Sequence, residues 1–134
     1  MTTDLNRLLL DVTELAREAG RTILEVYASS FTVAEKEDRS PLTEADLRSE
    51  KLILAGLKRL SPEIPVLSEE TGQVPWSKRR DWSRLWVVDP LDGTKEFVQR
   101  NGEFTVNIAL VDHHRPVLGI VHAPVLERDY YACE

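Results

Sequence analysis

One cysteine, Cys133, is all the thiol chemistry that this sequence has. An internal disulfide framework is therefore excluded, and so is the second thiolate that a cysteine-based zinc site needs. This usage suits a reducing cytoplasm. No stretch reaches the ~20 apolar residues needed to span a bilayer. The start, Met1-Thr2-Thr3-Asp4, has no basic segment leading into an apolar run, so the chain is expected to be unexported and soluble. Excess positive charge is missing as well: 17 Lys and Arg stand against 23 Asp and Glu, for a formal net charge of −6. A nucleic-acid polymer would be repelled rather than steered in, and a small anionic substrate would need a local cation. Internal repeats and low-complexity tracts are absent too. With 134 residues, 42% of them hydrophobic, the chain has enough material for the core of one domain or part of one.

Leu5, Leu8, Leu9, Val12, Leu15, Ala16, Ala19, Ile23 and Val26 recur at three- and four-residue steps, which predicts an amphipathic helix capped by Thr3 or Asp4. The stripe continues past Gly20 to Tyr27, so that glycine is expected to be a close-packing point inside the helix. Phe31-Thr32-Val33 is short and β-prone, and the charged run Glu35 to Arg39 reads as a solvated loop or hairpin tip. Thr43-Glu44-Ala45-Asp46 opens a second helix, with Leu47, Ile53, Leu54, Leu57 and Leu60 as its apolar contacts and Ser61-Pro62 as its stop. Strands are expected at Ile64 to Leu67 and Leu85 to Val88, then in a hairpin of Phe104 to Val111 and Val117 to His122 turning at Asp112 to Arg115, and at Tyr130-Tyr131. Thr71 to Asp81 reads as a surface excursion. Two helices followed by several strands predict a layered α+β domain with a helix pair on one face of the sheet. The strand-like segment before Glu134 would leave an exposed apolar sheet edge, so further protein or self-association through that edge is expected.

The chemistry gathers where strands end. Glu69 and Glu70 follow one predicted strand, Asp89 and Asp92 another. Carboxylates converging from rigid strands repel one another, and the simplest relief is a hard divalent cation. Oxygen-only ligands favour magnesium over zinc. In Asp89-Pro90-Leu91-Asp92-Gly93-Thr94, Pro90 stiffens the turn and Gly93 allows a close backbone approach. Residues Thr94 to Val98 can form a helical turn whose first N–H groups face a phosphate. A metal and a phosphate held in contact is what metal-assisted phosphoester hydrolysis requires. Each segment alone has an ordinary meaning: a tight turn, a solvated Glu pair, and a helix cap at Thr43 and Asp46. Their joint presence in this order raises the odds of a site.

Asp89 to Phe97, with Leu67-Ser68-Glu69-Glu70 before it and Thr43-Glu44-Ala45-Asp46 at a helix start, resembles the motif set of the inositol monophosphatase superfamily. Thr94-Lys95-Glu96-Phe97, Arg100 to Leu110 and Pro65 to Glu70 are similar to its CysQ-type branch, the 3′(2′),5′-bisphosphate nucleotidases, and the similarity runs over essentially the whole chain. The resemblance implies a layered inositol-monophosphatase-like α+β fold with a largely antiparallel sheet and the C-terminal half absent. It implies that Glu69, Asp89 and the Leu91 carbonyl hold one Mg²⁺ and that Asp89 and Asp92 reach a second. Glu69, Leu91, Asp92, Gly93 and Thr94 would line the substrate, with Gly93 and Thr94 on its phosphate. Thr94, hydrogen-bonded to Asp46, would orient and help deprotonate the attacking water, with Glu70 assisting. The implied substrate is a small phosphorylated nucleotide, 3′-phosphoadenosine 5′-phosphate, hydrolysed to AMP and phosphate in sulfate assimilation. Inositol- or sugar-phosphate hydrolysis, or a non-catalytic metal- and phosphate-binding role, are the alternatives.

The departure from the family is a missing Trp-Asp motif, which supplies another ligand to the second metal. Trp76, Trp82 and Trp86 are followed by Ser77, Ser83 and Val87, so the second site is expected to be incomplete. Three tempting residues are set aside. His113-His114 reads as a solvated turn, Cys133 has no basic neighbour to make it a nucleophile, and Lys95 extends from the helical turn towards substrate or solvent.

Overall fold

Asp4 starts the first helix by accepting a hydrogen bond from the Arg7 amide, and α1 (Leu5–Tyr27) then runs for 23 residues. This computed structural model describes residues 4–29, 33–35, 41–69 and 74–134. The predicted apolar stripe of α1 is buried from Leu8 to Val26. Gly20 lies inside the helix, and a Cβ there would fall 2.6 Å from His122 Nε2, so the absence of a side chain is what lets the helix lie flat on the sheet. Thr3, the other candidate cap, lies outside the described residues.

The second helix, α2 (Glu44–Leu60), begins in a reciprocal capping box between Thr43 and Asp46. It ends at Ser61, whose hydroxyl donates to the Leu57 carbonyl and accepts from the buried Trp86 indole at 2.8 Å. Ile53 and Leu57 are fully buried, and Leu60 packs at the margin of the core. Leu47 departs from expectation: it is 49% exposed. It follows buried Asp46 by one residue, a rotation of about 100° in a helix of 3.6 residues per turn, which carries it off the packed face.

A short antiparallel pair, β1 (Val33–Glu35) with β2 (Pro41–Thr43), precedes α2. The charged run between these strands from residue 36 on, and Phe31-Thr32 before them, lie outside the described residues. The main sheet has the order β3 (Val66–Ser68), β4 (Arg84–Asp92), β5 (Thr105–Asp112), β6 (Arg115–Ala123), β7 (Arg128–Cys133). It is antiparallel except for the β3–β4 pair. The surface excursion carries a four-residue helix, α3 (Trp76–Arg79), and its residues 71–73 are outside the described set. The β5–β6 hairpin turns on His113 and His114, both with positive φ (48° and 67°), as a two-residue turn of this twist demands. They are exposed turn residues, as expected.

Alternate residues of the strands point to the helices. Trp86 and Val88, Val106, Ile108 and Leu110, then Leu118 and Ile120 join Val12, Ala16, Ile23, Ile53 and Leu57 in one core. On the opposite sheet face, Val87, Val121 and Tyr130 stay 40%, 37% and 56% exposed. The edge strand β7 also exposes Tyr131. No described helix is long and apolar enough to cross a membrane.

Away from the strand ends, α1 is latched to the last hairpin by charge. Arg17 donates twice to Asp129 Oδ2, and Asp129 Oδ1 pairs with His122 Nδ1 at 2.6 Å. Burial opposes ionisation of Asp129, but the hydrogen bonds from His122 and Arg17 win and hold its carboxyl below the usual carboxylate range.

Candidate active site

Because β3 and β4 are parallel, both end at the same sheet edge. Ser68 pairs with Val88, and the Glu69 amide extends the ladder to the Val88 carbonyl at 3.0 Å. Glu69 and Asp89 each follow that pair, so pairing direction alone sets the two acidic segments side by side.

The β4–β5 register then slips. Asp89 faces Asn107 and Asp92 faces Thr105, three steps on one strand against two on the other. Pro90 and Leu91 together oppose Val106, and all three are buried. This is a β-bulge. In a regular strand residues three apart point to opposite faces, but the extra residue turns Asp89 and Asp92 to the same face, the one away from the helices. Pro90 is tolerated because a bulge leaves a backbone group unpaired.

The chain leaves the sheet through Gly93, in the left-handed region at φ 93°, where a Cβ would also lie 2.9 Å from the Glu103 carbonyl. It enters α4 (Thr94–Val98), which is anchored by buried Phe97 against the Phe104 and Tyr27 rings. The predicted helical turn is thus present, and its backbone opens without a side-chain cap.

This turn brings Thr94 to Asp46. The Thr94 hydroxyl donates to Asp46 Oδ1 at 2.8 Å, across 48 residues of sequence. Asp46 is fully buried, and its Oδ2 accepts from the Thr43 amide (2.9 Å) and the Thr43 hydroxyl (2.6 Å). Cap and partner of Thr94 are therefore one carboxylate. The N-terminus of α2 adds the favourable end of the helix dipole.

Two further residues hold the turn, and neither was singled out from sequence. Buried Ser49 donates to the Pro90 carbonyl at 2.7 Å. Asn107 donates to Asp92 Oδ2 at 3.0 Å while accepting from Thr105 Oγ1 at 2.9 Å, which settles the orientation of its amide. The available signals were faint: Ser49 stands one helical turn after Asp46, and Asn107 is the outward residue between Val106 and Ile108.

The donors here are all oxygens: the carboxylates of Glu69, Asp89 and Asp92 and the Leu91 carbonyl. In kind they fit a hard divalent cation such as Mg²⁺. Among the described residues, which do not include Glu70, no three His, Cys, Asp or Glu side chains gather into a cation-binding group. Asp89 accepts from the Leu91 amide at 3.3 Å, and Asp92 accepts from the Asn107 amide. Glu70 lies outside the described residues. Lys95 is exposed, and Cys133 is partly buried with its Sγ 3.4 Å from Asn6 Oδ1.

A helix pair on one face of this sheet, with an acidic bulge, a Gly turn and a Thr–Asp pair at its edge, defines a family. Residues 4–134 match the model of the Inositol monophosphatase family, and the chain belongs to it. Among its relatives is the 3′(2′),5′-bisphosphate nucleotidase CysQ of Salmonella typhimurium, 55% identical over 129 residues that make up 95% of this chain and 52% of the relative. The crystal structure of CysQ from Bacteroides thetaiotaomicron is 46% identical with a TM-score of 0.80, over 96% of this chain and 46% of that one. The extragenic suppressor protein suhB from Bartonella henselae superposes with a TM-score of 0.86 at 27% identity, over 96% of this chain and 49% of that one. The chain spans about half the length of each.

Proposed function

We propose that residues 1–134 form the metal- and phosphate-binding portion of a Mg²⁺-dependent phosphatase of the cytoplasm. Its substrate is 3′-phosphoadenosine 5′-phosphate, from which it removes the 3′-phosphate to give AMP and phosphate, in sulfate assimilation. The observation that carries this reading is the Thr94–Asp46 hydrogen bond beside the bulged Asp89–Asp92 segment. The choice of a bisphosphate nucleotide is supported by the identity of 55% to the Salmonella nucleotidase.

Glu69, Asp89 and the Leu91 carbonyl hold one ion, and Asp89 and Asp92 contribute to a second. When bound, Mg²⁺ supplies a hard positive charge that polarises a phosphoryl oxygen and acidifies water. The chain does the rest. Glu69, Leu91 and Asp92 line the substrate, and the Gly93 and Thr94 backbone receives the phosphate. Thr94 Oγ1 gives its proton towards Asp46 Oδ1, which leaves oxygen lone pairs to accept a proton from the attacking water. Glu70 assists. Placing the base before reaction begins is worth on the order of 10²–10⁴-fold in rate. With Asp89 and Asp92 contributing to the second ion, residues 1–134 by themselves are expected to hydrolyse the nucleotide poorly or not at all.

Phosphate release from the bisphosphate nucleotide, inositol monophosphate and fructose bisphosphate, each with and without Mg²⁺, tests the reading. Mg²⁺-dependent release from the nucleotide above the other two is expected. Preference for inositol monophosphate would move the protein to the sister activity, and Mg²⁺ binding without release from any substrate would leave a binding domain. Tyr130 and Tyr131 on β7 are exposed, self-association through that strand is expected, and sedimentation of the purified chain checks it.

A further inference from the structure

We propose that Ser49 is a positioning residue for Asp89 and acts through the single peptide unit joining Pro90 to Leu91. The inference rests on the reading of Asp89 as a metal ligand. Ser49 is fully buried on α2, and its hydroxyl is 2.7 Å from the Pro90 carbonyl oxygen. A carbonyl can only accept, so the serine donates. No described peptide bond is cis. In a planar trans unit the N–H points opposite to the C=O, so pulling the Pro90 carbonyl towards α2 aims the Leu91 N–H away from it. That N–H donates to Asp89 Oδ1 at 3.3 Å. Ser49, one rigid plane and the Asp89 carboxylate thus form a single line of hydrogen bonds, each polarising the next.

The ring of Pro90 fixes its own φ but leaves ψ, the torsion that rotates the 90–91 unit. Ser49 removes that freedom. Three residues earlier on the same helix, Asp46 holds Thr94, so α2 grips the turn at both ends with the Leu91 carbonyl between them. Partners of this kind, which orient a ligand without touching the ion, typically contribute roughly 10–100-fold to metal affinity.

The test is a Mg²⁺ titration of the whole chain followed by amide NMR shifts, with Leu91 amide exchange measured before metal is added. Ser49→Ala is expected to weaken Mg²⁺ binding roughly tenfold and to speed Leu91 exchange, Ser49→Thr to restore both, and Ser49→Ala to add nothing in an Asp89→Asn background. Should Ser49→Ala not fold, Ser49→Cys fills the site with a slightly larger, weakly donating group and is read in the same way. A lower melting temperature with unchanged Mg²⁺ affinity would make Ser49 a structural anchor and overturn the proposal. A wild-type chain with no Mg²⁺-dependent shifts at Asp89 or Asp92 would overturn the metal reading, and this inference with it.

Discussion

Asp129 and Asp46 tie α1 and α2 to the rest of the fold, and they are compensated in different ways. Asp129 is held by a guanidinium and an imidazole, so its charge is spent within the Arg17–Asp129–His122 latch. Asp46 is more deeply buried, and its three hydrogen-bond donors among the described residues are a backbone amide and two hydroxyls. A carboxylate matched by cations is well suited to fastening a helix to a hairpin. One satisfied by neutral donors joins the start of α2 to Thr94. The difference separates an acid that ties a helix to a hairpin from one that ties a helix to the turn after β4.

The sharpest way to break this contrast is Asp46→Asn. Phosphate-release kinetics should show kcat falling by about 10²–10⁴-fold with KM little changed, because the lost proton acceptor matters in the transition state. Thr94→Ala should behave alike, and an unchanged kcat in both would reduce Asp46 to a helix cap. The counterpart, Asp129→Asn, should leave kcat unaltered but lower stability by about 0.5–1.5 kcal/mol in urea unfolding, since it loses the pairing with half-exposed Arg17 and weakens the bond to buried His122. Acidity sharpens the same point. Because the folded Asp129 carboxyl titrates below its ordinary value of 3.8, its contribution is complete above that pH and is lost as pH falls through the folded value. Unfolding midpoints measured from neutral pH into acid should therefore fall less steeply in Asp129→Asn. The smallest effect belongs to the exposed Arg48–Glu44 pair, one turn apart on α2. Arg48→Ala should cost no more than about 0.5 kcal/mol by thermal denaturation.

Both helices could be read from their apolar spacing, and Thr43 with Asp46 from a capping pattern that also marked the site. The acidic segments were visible because they followed apolar runs. What stayed hidden depended on partners distant in sequence. Nothing in Val66-Leu67-Ser68 says that it pairs parallel to β4, yet that direction puts Glu69 beside Asp89. Leu47 fits the apolar composition of α2 and still points to solvent, because a helical stripe has a width and Leu47 falls outside it. A serine in mid-helix and an asparagine in a strand carry no signal of their own, so Ser49 and Asn107 emerged only with the turn that each of them holds.

The bulge in β4 has a consequence for parity. Asp89 and Asp92 are an odd number of residues apart, and one additional residue turns that odd spacing into a shared face. The irregularity is thus part of the motif: deleting either Pro90 or Leu91 would restore a regular ladder and shorten the segment by only one residue. An aspartate would then flank the other at even spacing, with both on one face as before, but the buried pair opposite Val106 would shrink to a single side chain and the peptide plane between Ser49 and Asp89 would be gone. The same two acids could survive such a deletion with their direction intact and their anchorage to α2 lost.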